Sequence, residues 1–328
     1  MAIEALYWQR NANGVICNLC PRACNLSEGQ RGACRSRECR NGEMQLLNYG
    51  KTIALSLDPI EKKPLYHFNP GSQILSLGPN SCNLECSFCQ NYLISQMDQQ
   101  TREISPEQLK LFLLKNGLKQ VAFTYTEPLT WFEFILDFAA IASGIDIVLV
   151  TNAFLNPEAF RQITSSVKAM NIDLKSMNPA FYSKQCKGEL NTVLTNIRQA
   201  FEAGVHLEIT NLLIPGLNDG PADVAALVNF CADLSNELIL HFSAYHPAYR
   251  LSEPATPASV VHRACELASV KLRYVYAGNL ADRLYRDTLC PNCHQIVIRR
   301  TGGRSEPLLE PGGICPVCKH VIRGEFSS

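Results

Sequence analysis

From residue 73 onward, short runs of branched and aromatic residues alternate with longer stretches whose apolar positions recur every three or four residues. The short runs predict strands at Gln73–Leu77, Gln120–Tyr125, Asp146–Val150, Ala169–Asp173, His206–Leu213, Leu238–Phe242 and Lys271–Tyr276. They are almost continuously apolar, the character of parallel strands covered on both faces. The longer stretches predict helices with marked starts. Ser105-Pro106-Glu107-Gln108 has the form of a capping box with proline in the first turn, and Asn156-Pro157-Glu158 and Thr256-Pro257-Ala258 repeat the polar-then-proline signal. Leu109, Phe112 and Leu113 give the first of these helices its apolar stripe. Regular strand–helix alternation predicts an α/β barrel, open or closed. Met44–Leu57 predicts a strand pair around Asn48-Tyr49-Gly50-Lys51. The expected division is an N-terminal cysteine-rich extension over 1–72, a barrel over 73–287 and a four-cysteine module over 288–328.

A chain of 328 residues, 46% of them hydrophobic, can bury one large core with small attachments. Thirty basic and thirty acidic residues cancel, so no global field draws the protein to nucleic acid or anionic lipid. No uncharged apolar run approaches the length of a membrane helix. Met1–Trp8 lacks a basic start followed by an apolar stretch, so a mature, cytoplasmic protein is expected.

Fifteen cysteines alter this picture. In a large chain without a secretory signal, closely spaced cysteines point to metal ligation rather than disulfides. Three groups stand out: Cys17, Cys20, Cys24 and Cys34; Cys82, Cys86 and Cys89; and Cys290, Cys293, Cys315 and Cys318. Cys39 is near enough to the first group to be a spare ligand. Cys231 and Cys265 fall in helix-like apolar contexts and are expected to be inert. Cys290-Pro-Asn-Cys293 and Cys315-Pro-Val-Cys318 are two knuckles separated by 21 residues. They predict a closed tetrahedral site for zinc, or for iron as in rubredoxin, in a tail too small to fold without a staple. Three tight cysteines plus a distant fourth, Cys34, fit a second 4Fe–4S cluster or one zinc ion, and the residues alone leave both open.

The middle group differs because it has three cysteines. Three thiolates can hold three irons of a 4Fe–4S cubane and leave the fourth iron without a protein ligand. The stretch Gly78-Pro-Asn-Ser-Cys82-Asn-Leu-Glu-Cys86-Ser-Phe-Cys89, with an aromatic residue just before the last cysteine, resembles the radical SAM superfamily. That resemblance implies a partial (β/α)6 barrel. It also implies a cluster whose open iron binds S-adenosylmethionine, an external electron donor, and a 5′-deoxyadenosyl radical that abstracts hydrogen from a substrate. Cys82, Cys86 and Cys89 become the catalytic ligands, and Phe88 lies beside the adenine.

The strand ends extend the resemblance. Tyr125-Thr126-Glu127-Pro128 occupies the place of a Gly-Gly-Glu-Pro turn that holds the cofactor's amine. Thr151-Asn152, Asp173-Leu174-Lys175, Pro215-Gly216-Leu217-Asn218-Asp219 and Tyr245-His246 resemble the activating enzymes of glycyl-radical proteins. By that resemblance Asp173 and Lys175 contact the methionine carboxylate or ribose side, and His246 lies near the adenosine or the radical path. Val150 replaces an aspartate of the activases, which removes the basis for a monovalent-cation site.

Taken with Cys17–Cys24, Asp58-Pro-Ile-Glu-Lys-Lys-Pro-Leu-Tyr-His-Phe68 and the terminal knuckles, the chain from about residue 15 to 322 resembles the AmmeMemoRadiSam system radical SAM enzymes. This implies Memo-like and AMMECR-like partners and supplies no substrate. A small-molecule substrate is expected ahead of activase-like protein modification. The contrasting class is a non-enzymatic iron–sulfur or zinc protein for electron transfer or binding, against which the three-cysteine set and the neutral charge both weigh.

Overall fold

The computed structural model describes residue 3 and residues 5–326. All seven expected strands are present and parallel, at Gln73–Pro79, Gln120–Phe123, Asp146–Thr151, Ala169–Asp173, His206–Leu213, Ile239–Ala244 and Tyr274–Gly278. They lie side by side in chain order. Helices over Pro106–Lys115, Phe132–Ile141, Pro157–Thr164, Leu190–Glu202, Pro221–Leu234 and Ala258–Ser269 connect them. Two more strands complete a nine-stranded sheet at its leading edge: Lys51–Pro59, antiparallel to the first strand, and the short Arg102–Glu103.

Side chains alternate between two environments, as a strand period of two requires. Val121, Phe123, Ile147 and Leu149 join the main apolar cluster, which also takes in residues of the covering helices. Ala122, Val148 and Ala169 instead form a second cluster with Ile60, Leu65, Phe68 and Ile74. The segment that follows Lys51–Pro59 therefore plugs one end of the barrel interior.

The expected capping box at Ser105 is complete, with Gln108 reciprocating. The other two starts differ in detail. Asn156 makes no side-chain cap and donates instead to the carbonyl of Asn18. Thr256 lies outside its helix, where its hydroxyl bridges the Tyr245 N–H and the Leu213 carbonyl. The strand pair expected over Met44–Leu57 needs a larger correction. Glu43–Leu46 pairs with Arg37–Arg40, whereas Lys51–Pro59 leaves for the central sheet, where it pairs with the first parallel strand and buries Thr52 and Asp58 while Leu55 and Leu57 stay exposed.

The barrel floor is held by one buried carboxylate. Glu208 accepts from the backbone N–H groups of Tyr66 (2.9 Å) and His67 (2.8 Å), and from Nε2 of His206 (3.0 Å) and His241 (2.6 Å). Burial pushes its carboxyl up, but the two imidazole donors prevail and hold it well below the usual carboxylate range. His67 continues the network through Tyr276 and the Arg323 carbonyl, and burial pushes its imidazole down to about 3. The C-terminal strands Thr288–Leu289, Ile296–Thr301 and Arg304–Pro307 dock on this floor. Arg300 stacks 4.0 Å above the Tyr66 ring and donates to the Tyr66 carbonyl.

A group whose folded value is depressed contributes stability above its unfolded value and loses it as pH falls. For His67 that loss begins near its ordinary 6.5, and for Glu208 it begins near 4.5. Urea unfolding should therefore show a loss on the order of 3 kcal/mol from His67 between about pH 7 and 4. His67→Gln should flatten that slope; an unchanged slope would refute the assignment.

Candidate functional site

At the carboxyl ends of the strands lies a cavity of about 530 Å³, within the range that takes a cofactor-sized ligand. The loop following the first strand brings Cys82, Cys86 and Cys89 to its wall, and no other cysteine lines it. Gly78 permits this placement: a Cβ there would stand 2.0 Å from the Thr124 carbonyl oxygen, so any other residue would force the first two strands apart. The loop is then pinned from outside. Glu85 and Ser87 donate backbone N–H groups to the carbonyls of Cys186 (2.9 Å) and Gln185 (2.8 Å), and Asn83 donates to the Phe154 carbonyl.

Each thiol has a different neighbour. Asn152 Nδ2 donates to Cys82 Sγ at 3.8 Å, and burial pushes the Cys82 thiol up. Ser95 Oγ lies 3.3 Å from Cys89 Sγ. Cys186, buried and a hundred residues downstream, donates its thiol to Cys86 and holds it below the ordinary thiol value. Sequence reasoning missed Cys186 because its surroundings in the chain are polar.

Phe88, Tyr125, Thr126, Glu127, Thr151, Asn152, Asp173 and Lys175 all line the same cavity. Glu127 accepts from Thr151 Oγ1 (2.6 Å), the Asn152 N–H (2.8 Å) and the Leu129 N–H (3.0 Å). These donors occupy three of a carboxylate's roughly four acceptor positions. Burial still pushes its carboxyl up to about 7. Lys175 lies 3.1 Å from Asp173 and 6.0 Å above the Phe88 ring. Burial works against its charge, but Asp173 and Cys86 outweigh it and keep the ammonium protonated. Phe88 packs against Phe181 at 5.7 Å.

His246 is the exception. It is exposed and lines an adjoining recess that shares Gln90, Leu212 and Asn279 with the cavity. Conversely, Asp58, Lys62 and Lys63 reach the cavity from the plug segment. Asp58 accepts from Lys63 Nζ (2.8 Å) and the Tyr125 hydroxyl (2.7 Å). Burial raises its carboxyl, but these partners prevail and hold it at about 2. The segment Asp58–Phe68 stood out in the sequence, but nothing local said which of its residues turn inward. Thr210 also lines the cavity, and its buried hydroxyl finds no partner among the described residues.

The radical SAM superfamily profile matches residues 78–230. An uncharacterized protein of Methanocaldococcus jannaschii is 40% identical over 306 residues, covering 90% of this chain and 91% of its own. The chain belongs to the radical SAM superfamily. A GTP 3′,8-cyclase of Sulfurovum is 27% identical over 163 residues, covering 46% of this chain and 48% of its own, so the chain spans about half the length of that relative. The fold is also that of Streptococcus suis SuiB, solved bound to S-adenosylmethionine, with a TM-score of 0.51 and 15% identity over 64% of this chain and 51% of that one.

Members of the superfamily are generally enzymes and carry a 4Fe–4S cluster with S-adenosylmethionine. The thiols fit that group. Among the described residues, only Cys290, Cys293, Cys315 and Cys318 bring three or more ligand atoms within 4.8 Å of one another. Cys82, Cys86 and Cys89 are thus spread too widely for one ion. A cubane needs wider spacing, with ligand sulfurs about 6 Å apart.

The C-terminal set is the opposite case. Cys290 and Cys318 Sγ are 3.5 Å apart, and Cys293 and Cys315 Sγ are 3.6 Å apart. Metal–sulfur bonds of about 2.3 Å in a tetrahedron place sulfurs about 3.8 Å apart. The two knuckles repeat one geometry: Cys290 and Cys315 donate to the carbonyls of Gln295 and His320, and accept from the N–H groups of His294 and Lys319. Asn292 and the His320 N–H hold the Cys318 thiol down to about 6, so it is ready as a thiolate. Cys290→Ser or Cys315→Ser should lose one metal equivalent and raise hydrogen exchange over 288–326 at least about a hundredfold. Unchanged metal content in either variant would exclude this site.

Proposed function

We propose that this chain is a cytoplasmic radical SAM enzyme that abstracts hydrogen from a small-molecule substrate. The reading is carried by one observation. Three thiols, spread more widely than one ion requires, open onto a cavity that no other cysteine lines and that also holds the buried Thr210 hydroxyl, which has no partner among the described residues. Cys82, Cys86 and Cys89 would hold a 4Fe–4S cluster and leave one iron for S-adenosylmethionine. When bound, that pair supplies a 5′-deoxyadenosyl radical upon one-electron reduction by an external donor.

The chain's own residues orient and shield this chemistry. Tyr125, Thr126 and Glu127 offer carbonyl and carboxylate acceptors to the methionine ammonium. Thr151 and Asn152 fix Glu127 in place and do not compete for its last acceptor position. Lys175 and Asp173 face the carboxylate and ribose side, and Phe88 supplies an apolar face for the adenine. Thr210 is free to bond a bound ligand. Asp58, Lys62 and Lys63 form a charged end to the cavity, which supports a compact polar substrate more readily than a protein side chain. The closed floor, with Leu84, Phe88, Val150 and Leu212 as the apolar part of the wall, limits the water and stray hydrogen donors that reach a reactive alkyl radical.

Within the superfamily we assign the chain to the AmmeMemoRadiSam system enzymes, with Memo-like and AMMECR-like proteins as partners. We assign residues 73–287 to the catalytic barrel, 1–72 and 288–328 to flanking modules, and zinc to the C-terminal thiols.

Protein reconstituted anaerobically with iron and sulfide and reduced with dithionite should convert S-adenosylmethionine to 5′-deoxyadenosine and methionine. Cys82→Ala should lower that rate by about a thousandfold or more while retaining the C-terminal metal. Lys175→Met should weaken S-adenosylmethionine binding about tenfold without changing iron content. A loaded wild-type cluster that never cleaves the cofactor would defeat the reading. A glycyl-radical signal on a partner protein would replace the small-molecule substrate with a protein one.

A further inference from the structure

The four N-terminal cysteines are brought together from separate turns. Cys17 ends the strand Gly14–Cys17, Cys24 precedes the strand Asn25–Leu26, Cys20 lies in the turn between them, and Cys34 comes from the following loop. The Cys17 N–H bonds the Cys24 carbonyl at 2.9 Å, and the Ala23 N–H bonds the Cys20 carbonyl at 3.1 Å. All four side chains line one small cavity, closed on its other sides by Leu19, Arg37, Asn83 and Thr130. All four are free thiols. Cys39 is not among them: it is buried on its own strand and faces Glu28 at 3.8 Å.

We propose that Cys17, Cys20, Cys24 and Cys34 ligate a second iron–sulfur cluster of the 4Fe–4S type, closed by four protein thiolates. Sulfur spacing decides between the two metals that fit the sequence. A single zinc would draw four sulfurs to about 3.8 Å, as the C-terminal knuckles are drawn. Here no three of the sulfurs fall within 4.8 Å of one another, yet all four surround a common void. Four thiols spread around a common void suit a polynuclear core better than a single ion.

The surroundings agree with a cluster. Every sulfur has a donor or hydroxyl neighbour: the Leu19 N–H for Cys17, the Arg22 N–H for Cys20, the Ala33 N–H for Cys24 at 3.5 Å, and Ser36 Oγ for Cys34 at 3.0 Å. Hydrogen bonds to ligand sulfur stabilise the reduced, more negative cluster. Arg37 is 1% exposed and brings a cation to the cavity wall, anchored 2.6 Å from Glu133. A closed core of four thiolates carries net negative charge, which such a cation offsets.

The site also adjoins the first one. Asn83 lines this cavity while its neighbours Cys82 and Leu84 line the larger one. Arg22, between Cys20 and Cys24, donates to the Asn83 carbonyl at 3.0 Å and pairs with Glu85 at 2.8 Å. One residue of the cysteine loop therefore separates the two sites. The inference stands on the four N-terminal thiols and their surroundings and does not rest on the radical reading.

The test is iron, acid-labile sulfide and zinc content per chain, with Mössbauer and electron paramagnetic resonance spectra, after anaerobic reconstitution with iron(II) and sulfide. Wild type should hold about eight irons and eight sulfides. The variant with Cys82, Cys86 and Cys89 all changed to alanine should keep about half of each, as a cluster whose spectrum does not respond to S-adenosylmethionine. The variant with Cys17, Cys20, Cys24 and Cys34 all changed to alanine should lose the other half and keep the responsive signal. Should that variant fail to fold, the wild-type and Cys82/Cys86/Cys89 counts decide alone. Iron-free triple variant protein, or a second zinc equivalent in place of the extra iron, would overturn the proposal. Loss of the responsive signal with the N-terminal cluster intact would sink the radical reading instead.

Discussion

The Glu208 carboxylate is the interaction on which the rest of the molecule depends. It sits wholly buried inside the barrel, where an uncompensated charge would be untenable. Four donors satisfy it: two imidazoles from neighbouring strands and two consecutive backbone N–H groups from the plug. An ionised carboxylate only accepts, so both imidazoles must carry their proton on Nε2. This geometry fixes the plug against the fifth and sixth strands. It also fixes Tyr66, on which Arg300 of the C-terminal strands stacks. One carboxylate thus closes the floor and seats the C-terminal module. The cavity at the opposite, carboxyl ends of the strands is left for chemistry, where parallel barrels place it.

Sulfur spacing separates three sites that look alike in one dimension. Each contains cysteines separated by only two or three residues. Only the C-terminal set is collapsed to a single ion's dimensions, because two hairpin-like knuckles with identical backbone bonding face each other. The other two sets are presented by irregular loops held open by outside clamps. Residues 185 and 186 clamp the middle loop. Asn156 bonds the Asn18 and Leu19 backbone at the edge of the first group. The clamps come from distant parts of the chain, so separation in space, unlike separation in sequence, is a tertiary property.

That distinction explains what could be read in advance. The seven parallel strands were legible because each is a short apolar run, and burial on both faces demands that composition. The cysteine loop and the strand-end residues through Lys175 were legible because the motif and the strand period place them at one end. The Glu208 network was not legible. His206 and Glu208 are two apart and share a face, but their partners Tyr66, His67 and His241 lie at distances in sequence that no periodicity reports. The same holds for Cys186 beside Cys86. Lys51–Pro59 pairs elsewhere than the sequence predicts because its leucines, Leu55 and Leu57, stay exposed while Thr52 and Asp58 are buried, so its apolar face does not report its neighbours. His246 follows a strand end as its neighbours do, yet it is exposed in the adjoining recess, where its carbonyl accepts from Gln90 Nε2.

Tyr125 links the two ends of the cavity. Its backbone is left-handed, at φ 71°, where a glycine would be unstrained. Ala153 is in the same state at φ 53°. A non-glycine residue there costs about 1 kcal/mol, and such strain persists only where the surroundings over-determine it. For Ala153 the over-determination is local: its N–H bonds Thr151 Oγ1, and its carbonyl accepts from Asn196. For Tyr125 it is long-range. The hydroxyl reaches Asp58, the ring lies 4.6 Å beneath the Lys63 ammonium, and the carbonyl accepts from Asn91 at the edge of the cysteine loop. A glycine would relieve the strain and sever all of the side-chain connections. The tyrosine therefore ties the charged plug, the Glu127 turn and the cysteine loop into one rigid wall.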